Sequence, residues 1–238
     1  MRMILIPVAA LAILTACGSV ENQRVEKNAK ALTKEEQARL TPSGVIEILK
    51  QGNQEFANDR LTVRNSTELV RDAAKGQYPM AVILSCLDSR VPVEDVFHCA
   101  IGDLFVARVA GNIVNVDILG SMEFACAASG AKLVMVLGHG SCGAVKSAID
   151  DVQLGNITEM LSKIKPAVIE SKVNFDGETT VANSKFVETV GHANVALAVA
   201  EIRLKSPILK EMEDKGQIKI IGAYYDLYSG KVDFFENL

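Results

Sequence analysis

The 238-residue sequence has no basic stripe and no arginine-rich run interleaved with aromatics, and its formal charge is −4. Nucleic-acid binding is thus left without its electrostatic footprint, while small neutral or anionic substrates stay open. There is no internal repeat and no low-complexity segment, which excludes a solenoid or a repeat array. The apolar stretch at the N-terminus is too short to span a bilayer. What the chain does contain is 49% hydrophobic residues, enough at this length for one folded domain with a proper core.

That N-terminal stretch, "MRMILIPVAALAILTACGSV", has a single Arg, an apolar run of signal-peptide length and small residues ending at Cys17. "LTAC" at 14–17 resembles the lipobox of bacterial lipoproteins. The resemblance implies a signal peptide over 1–16, lipidation of Cys17 and a protein anchored on the periplasmic side of a bacterial membrane. Ser19 after Gly18 is compatible with outer-membrane sorting. An uncleaved anchor or a buried apolar strand is the alternative. Residues 17–40 then form the lipidated cysteine and a polar tether or N-terminal arm, with a capping-box spacing from Thr33 to Glu36. Cys86, Cys99, Cys126 and Cys142 remain, an even count that allows two disulfides in an oxidising compartment.

The domain is expected over 41–238. Thr41 and Pro42 supply an N-cap and a first helical residue, followed by Val45, Ile46, Leu49 and Phe56 at near-helical spacing. Four apolar runs follow, "MAVILSC" (80–86), "DLFVARVA" (103–110), "KLVMVLGH" (132–139) and "IKIIGAYY" (218–225), separated by helix-like segments. One of these, from Glu178 to Lys205, reads as a helix on one face. Strands alternating with helices predict an α/β fold with a mainly parallel sheet and flanking helices. Tyr228-Ser229-Gly230 before "KVDFF" predicts a closing C-terminal hairpin.

The chemistry gathers at two strand ends. In "SCLDSRV", Cys86, Asp88 and Arg90 alternate with Leu87 and Ser89, so they share a face while the chain is extended. In "KLVMVLGHGSCGAV", a strand ends in His139 and Cys142 opens a helix. Open parallel sheets build sites outside the carboxyl ends of their strands, so these groups converge if the two strands are neighbours. Two thiolates and one imidazole form a three-ligand zinc set with the fourth position free, as in catalytic zinc sites. No fourth cysteine in CxxC or HxxC register closes it. Arg90 can hold Asp88 ionised and aimed, and such a carboxylate can accept the hydrogen of a zinc-bound hydroxide and orient it. The competing reading is a Cys86–Cys142 disulfide beside a surface ion pair. Cys99 and Cys126 read as small buried hydrophobes, and His98 and His192 as exposed or hydrogen-bonded helix residues, with a proton-relay role as the alternative.

With these segments in view, the sequence resembles the β-class carbonic anhydrases. "CLDSRVPVEDVF", "GDLFVARVAGNIV" and "LGHGSCGAV" match three of the family's segments, and "LTPSGVIEILKQGNQEF" and "AKGQYP" look like its N-terminal helix and the approach to its first strand. The resemblance implies zinc as cofactor, held by Cys86, His139 and Cys142, and Asp88 and Arg90 as the catalytic dyad. It also implies substrate contacts from Gln77, often supplied by a neighbouring subunit, and from Phe105 beside a CO2 pocket. The expected activity is reversible hydration of CO2 to bicarbonate and a proton, by a homodimer or homotetramer. The chain has no Trp, so the tryptophan-containing bicarbonate site of certain members is absent in its usual form. "VAGN" replaces the commoner "VAN" pattern, so Ala110 and Gly111 are expected to loosen the pocket. A hydrolase of carbonyl sulfide or carbon disulfide on the same scaffold, and a non-catalytic zinc-binding lipoprotein, are the alternatives.

Overall fold

The computed structural model of the chain describes residues 31–61 and 66–238. The expected signal peptide and Cys17 lie outside the described residues. Five strands form one sheet in the order β2-β1-β3-β4-β5, with β1 at Ala81–Ser85, β2 at Leu104–Arg108, β3 at Leu133–His139, β4 at Lys219–Tyr225 and β5 at Val232–Phe235. The first four are parallel and β5 returns antiparallel to β4. The expected hairpin is present. Asp226 closes it by accepting hydrogen bonds at Oδ1 from the Tyr228 and Ser229 amides, an Asx-type turn.

Every residue of β1 and β3 is buried, as expected of strands covered on both faces. Alternation sorts their side chains. Ile83, Met135, Leu137 and Ile221 pack with Val45, Ile46 and Leu49 of α2 (Pro42–Ala57). On the other face, Val82, Leu84, Val134, Val136 and Ile220 pack with Leu119 and Met122 of α5 (Val116–Glu123) and Val195, Val199 and Ile202 of α9 (Ser184–Lys205). A third apolar cluster lies beyond the carboxyl ends of the strands, where Ile113, Val145, Ile164, Phe186 and Val190 surround Cys86 and Cys142.

Two boundaries differ from the sequence expectation. The helix expected from Glu178 begins at Ser184, because the Asn183 side chain accepts from the Lys185 amide and caps it there. The segment just before Thr41, expected within the tether, packs on the domain. Leu32 joins the core, and α1 (Lys34–Arg39) carries the expected capping box. Its buried Gln37 donates through Nε2 to the carbonyls of Pro79 and Ser129 at 2.7 and 2.8 Å. A polar-looking helix is thus fixed by one buried amide.

Candidate metal centre

β1 and β3 are adjacent, with Ser85 in register with Leu137. Their carboxyl ends therefore deliver Cys86 and His139 to one place. Ser141 adopts φ 51°, and this left-handed residue turns the chain so that Cys142, at the N-cap of α6 (Gly143–Ile149), faces His139 again. The ligand atoms of Cys86, His139 and Cys142 all lie within 4.8 Å of one another, and all three residues are buried.

These donors fit a zinc ion. His139 Nδ1 lies 2.9 Å from its neighbour Gly140's carbonyl oxygen. That oxygen can only accept, so Nδ1 carries the proton and the lone pair sits on Nε2. Nε2 is buried and has no hydrogen-bond partner. An apolar interior leaves such an atom unsatisfied at a cost, which a metal removes. The Cys86 and Cys142 sulfurs are 3.9 Å apart; two thiolates about 2.3 Å from one tetrahedral zinc lie about 3.8 Å apart. All four described cysteines are free, so the alternative of a Cys86–Cys142 disulfide is not what the chain forms. The Cys142 thiol, hydrogen-bonded to Cys86, pulls the Cys86 thiol down to about 4. The same bond, together with burial, pushes Cys142 up. The pair thus shares one proton unevenly, and a cation must displace it before both sulfurs can bind.

Asp88 stands at the edge of this cluster. Arg90 holds its carboxylate as a fork, Nε to Oδ1 at 2.9 Å and Nη2 to Oδ2 at 2.7 Å, and the Arg90 amide adds a third bond to Oδ1 at 3.0 Å. The Arg90 guanidinium holds the Asp88 carboxyl well below the usual carboxylate range. Oδ2 is 3.9 Å from His139 Nε2, so the fixed carboxylate faces the open side of the ligand triad.

Three further residues complete the frame, and of these the sequence had singled out only Gly111. Arg108, the last residue of β2, donates from Nε to the Cys86 carbonyl at 2.9 Å and from Nη2 to the Asp88 carbonyl at 2.6 Å. The Gly111 amide donates to Cys86 Sγ at 3.3 Å, and the Gly111 carbonyl accepts from buried Asn194 at 2.8 Å. The expectation that Gly111 loosens the pocket is corrected: its φ is 71°, and a Cβ there would lie 2.6 Å from Ile164 Cδ1 and 3.2 Å from Ala144 Cβ. Only glycine lets this turn close on the thiolate.

The other expected residues separate. Gln77 is exposed in the segment entering the amino end of β1, at the end of the sheet opposite the triad, so one chain does not bring it to the metal ligands. Phe105 lies on β2 in register with Val82. It lines a groove of about 620 Å³ with Val82, Ala107, Gly120 and Phe124. Cys99 and Cys126 are buried, as expected. His98 is the hydrogen-bonded case of that expectation: it is buried, and its Nδ1 pairs with Glu55 Oε2 at 2.6 Å. His192 lies on α9 with its ring 4.1 Å from that of Tyr224.

A family model described as carbonic anhydrase matches residues 81–232. Carbonic anhydrase 2 of Mycobacterium tuberculosis is 34% identical over 196 residues, covering 80% of this chain and 91% of that protein. A carbonic anhydrase of Mycolicibacterium smegmatis is 31% identical over 203 residues, covering 83% and 95%. Among solved structures, a tetrameric β-carbonic anhydrase of Sordaria macrospora superposes with a TM-score of 0.65 at 23% identity, over 71% of this chain and 86% of that one. At that identity the structural likeness speaks to the fold.

Proposed function

Because the chain belongs to the β-class carbonic anhydrases, zinc enzymes that interconvert CO2 and bicarbonate, we propose that Asp88 and Arg90 are the dyad that directs this reaction here. The observation that carries the reading is the Arg90-held carboxylate set 3.9 Å from the inward Nε2 of His139. Zinc held by Cys86, His139 and Cys142 would supply the Lewis acidity that makes water nucleophilic near neutral pH. Asp88 Oδ2, ionised throughout that range, accepts the hydrogen of the attacking water and so turns an oxygen lone pair toward the carbon of CO2. Arg90 keeps that oxygen from rotating away. Phe105 lines a groove that no triad or dyad residue shares, so the apolar surface it offers a small uncharged substrate would serve the site of a second copy.

The functional unit in this reading is a homodimer or homotetramer. Gln77 would then reach the site of a second copy, its position opposite its own triad being the supporting observation. The exposed side chains of Val116 and Phe124 beside the edge strand β2 offer an apolar face for that copy, and the Sordaria relative is tetrameric. The "LTAC" motif supports anchoring through Cys17 on the periplasmic side of a bacterial membrane; among the described residues no helix is long and apolar enough to cross one.

Asp88→Ala tests the dyad. It is expected to lower kcat for CO2 hydration by about a hundredfold or more, within the range of a lost acid–base or orienting group, while zinc per chain stays unchanged. Undiminished turnover would reject the role of Asp88. Selective retention of carbonyl sulfide or carbon disulfide hydrolysis by the wild type, without CO2 hydration, would move the substrate to those sulfur analogues.

A further inference from the structure

We propose that Arg108 is a positioning residue that locks the dyad to the sheet, an inference that rests on Asp88 directing the reaction. The ladder between β1 and β2 ends at Ser85 opposite Arg108, with one more backbone bond from the Val109 amide to the Ser85 carbonyl at 3.1 Å. Beyond that point Cys86, Leu87 and Asp88 leave the sheet. Packing holds Cys86, which is buried, but not Leu87, which is 62% exposed. Arg90 holds this segment weakly. It belongs to the same turn and is half-exposed, and beyond that turn its Nη2 reaches the Ser141 carbonyl at 3.5 Å, the outer limit of a hydrogen bond. The Arg108 guanidinium supplies what is missing. Its Nε and Nη2 reach the carbonyls of Cys86 and Asp88, two residues apart and therefore on one side of an extended chain. It takes the place of the next backbone donors of β2 and extends the pairing past the strand end.

The consequence is a division of labour between two arginines. Arg90 sets the direction and charge of the Asp88 carboxylate. Arg108 sets its distance from the ligand triad, because the same side chain grips the backbone of a metal ligand and of the dyad aspartate. Displacements of about 1 Å at a reacting centre are enough to cost a hundredfold in rate, so a tether on the backbone matters as much as the group it carries. Lysine cannot replace it, having a single nitrogen where two carbonyls need a planar fork.

The test is a double-mutant cycle on the full chain, with Asp88→Ala, Arg108→Gln and their combination, and with zinc counted in each sample. Arg108→Gln is expected to lower kcat by about tenfold or more with little change in KM, a pattern that marks lost transition-state alignment. In the Asp88→Ala background the same substitution is expected to cost less than about threefold, because partners acting through one group are not additive. A second readout needs neither metal nor turnover: in the metal-free protein, hydrogen–deuterium exchange of a peptide spanning 86–90 should accelerate by about tenfold in Arg108→Gln, while β3 is unchanged. Arg108→Lys, which keeps the charge, should fall between wild type and Arg108→Gln in both readouts and serves if the glutamine variant does not fold. Equal losses in both backgrounds, or unchanged exchange at 86–90, would overturn the proposal. An Asp88→Ala enzyme with full turnover would reject the dyad instead, and the exchange measurement would still decide whether Arg108 holds the segment.

Discussion

Buried cysteines of this chain behave in opposite ways, and their surroundings say why. Cys126 is enclosed by apolar residues with no compensating donor, so burial pushes its thiol up to about 12. Cys86 has the Cys142 thiol and the Gly111 amide beside it, and is pulled down to about 4. Nucleophilic thiolate is therefore available at Cys86 once the metal is gone, and stays unavailable at Cys126. Chelation followed by brief iodoacetamide treatment at pH 8, read by peptide mass spectrometry, should label Cys86 well before Cys99 or Cys126. The zinc-loaded protein should label none of the three. Preferential labelling of Cys126 would contradict this assignment.

The short turn Ala110–Asn112 shows how far the pattern of an element can be read and where it stops. Runs of β-branched and aliphatic residues marked β1, β3 and β4 to within a residue at either end, because strands buried on both faces carry few polar side chains, and a similar run marked the half-buried edge strand β2 to within two. The triad was legible for a related reason: a histidine and a cysteine at the tip of such a run have no place in a core. Gly111 was read in the wrong sense, since its demand is set by Ile164 and Ala144, which are distant in sequence. Arg108 stands inside the matched segment "GDLFVARVAGNIV" but received no role, because its partners are backbone carbonyls, which a motif does not name. Gln37 looked like one more polar residue of a tether for the same reason. Gly111→Ala should combine left-handed strain with overpacking and destabilise the domain by about 2–4 kcal/mol, measured by urea unfolding of the zinc-loaded protein. A change under about 0.5 kcal/mol would show that the turn relaxes freely.

At the scale of the whole molecule, the sheet is closed on one side by the β5 hairpin and ends on the other at β2. An edge strand flanked by exposed Val116 and Phe124 invites pairing with another chain. If that chain is a second copy, the combined variant Val116→Lys and Phe124→Lys should sediment as the 25.6 kDa monomer, where the wild type sediments as a dimer or tetramer. On the proposed role of Gln77 across that interface, its turnover should fall with it. A variant that keeps both its assembly and its rate would place the interface elsewhere.

The most direct test of the central claim is stopped-flow CO2 hydration by the wild-type protein, with zinc quantified in the same sample before and after chelation. The triad predicts about one zinc per chain, fast hydration that disappears when the metal is removed, and recovery when zinc is returned. Full zinc occupancy without CO2 hydration, or hydration that survives complete removal of the metal, would contradict it.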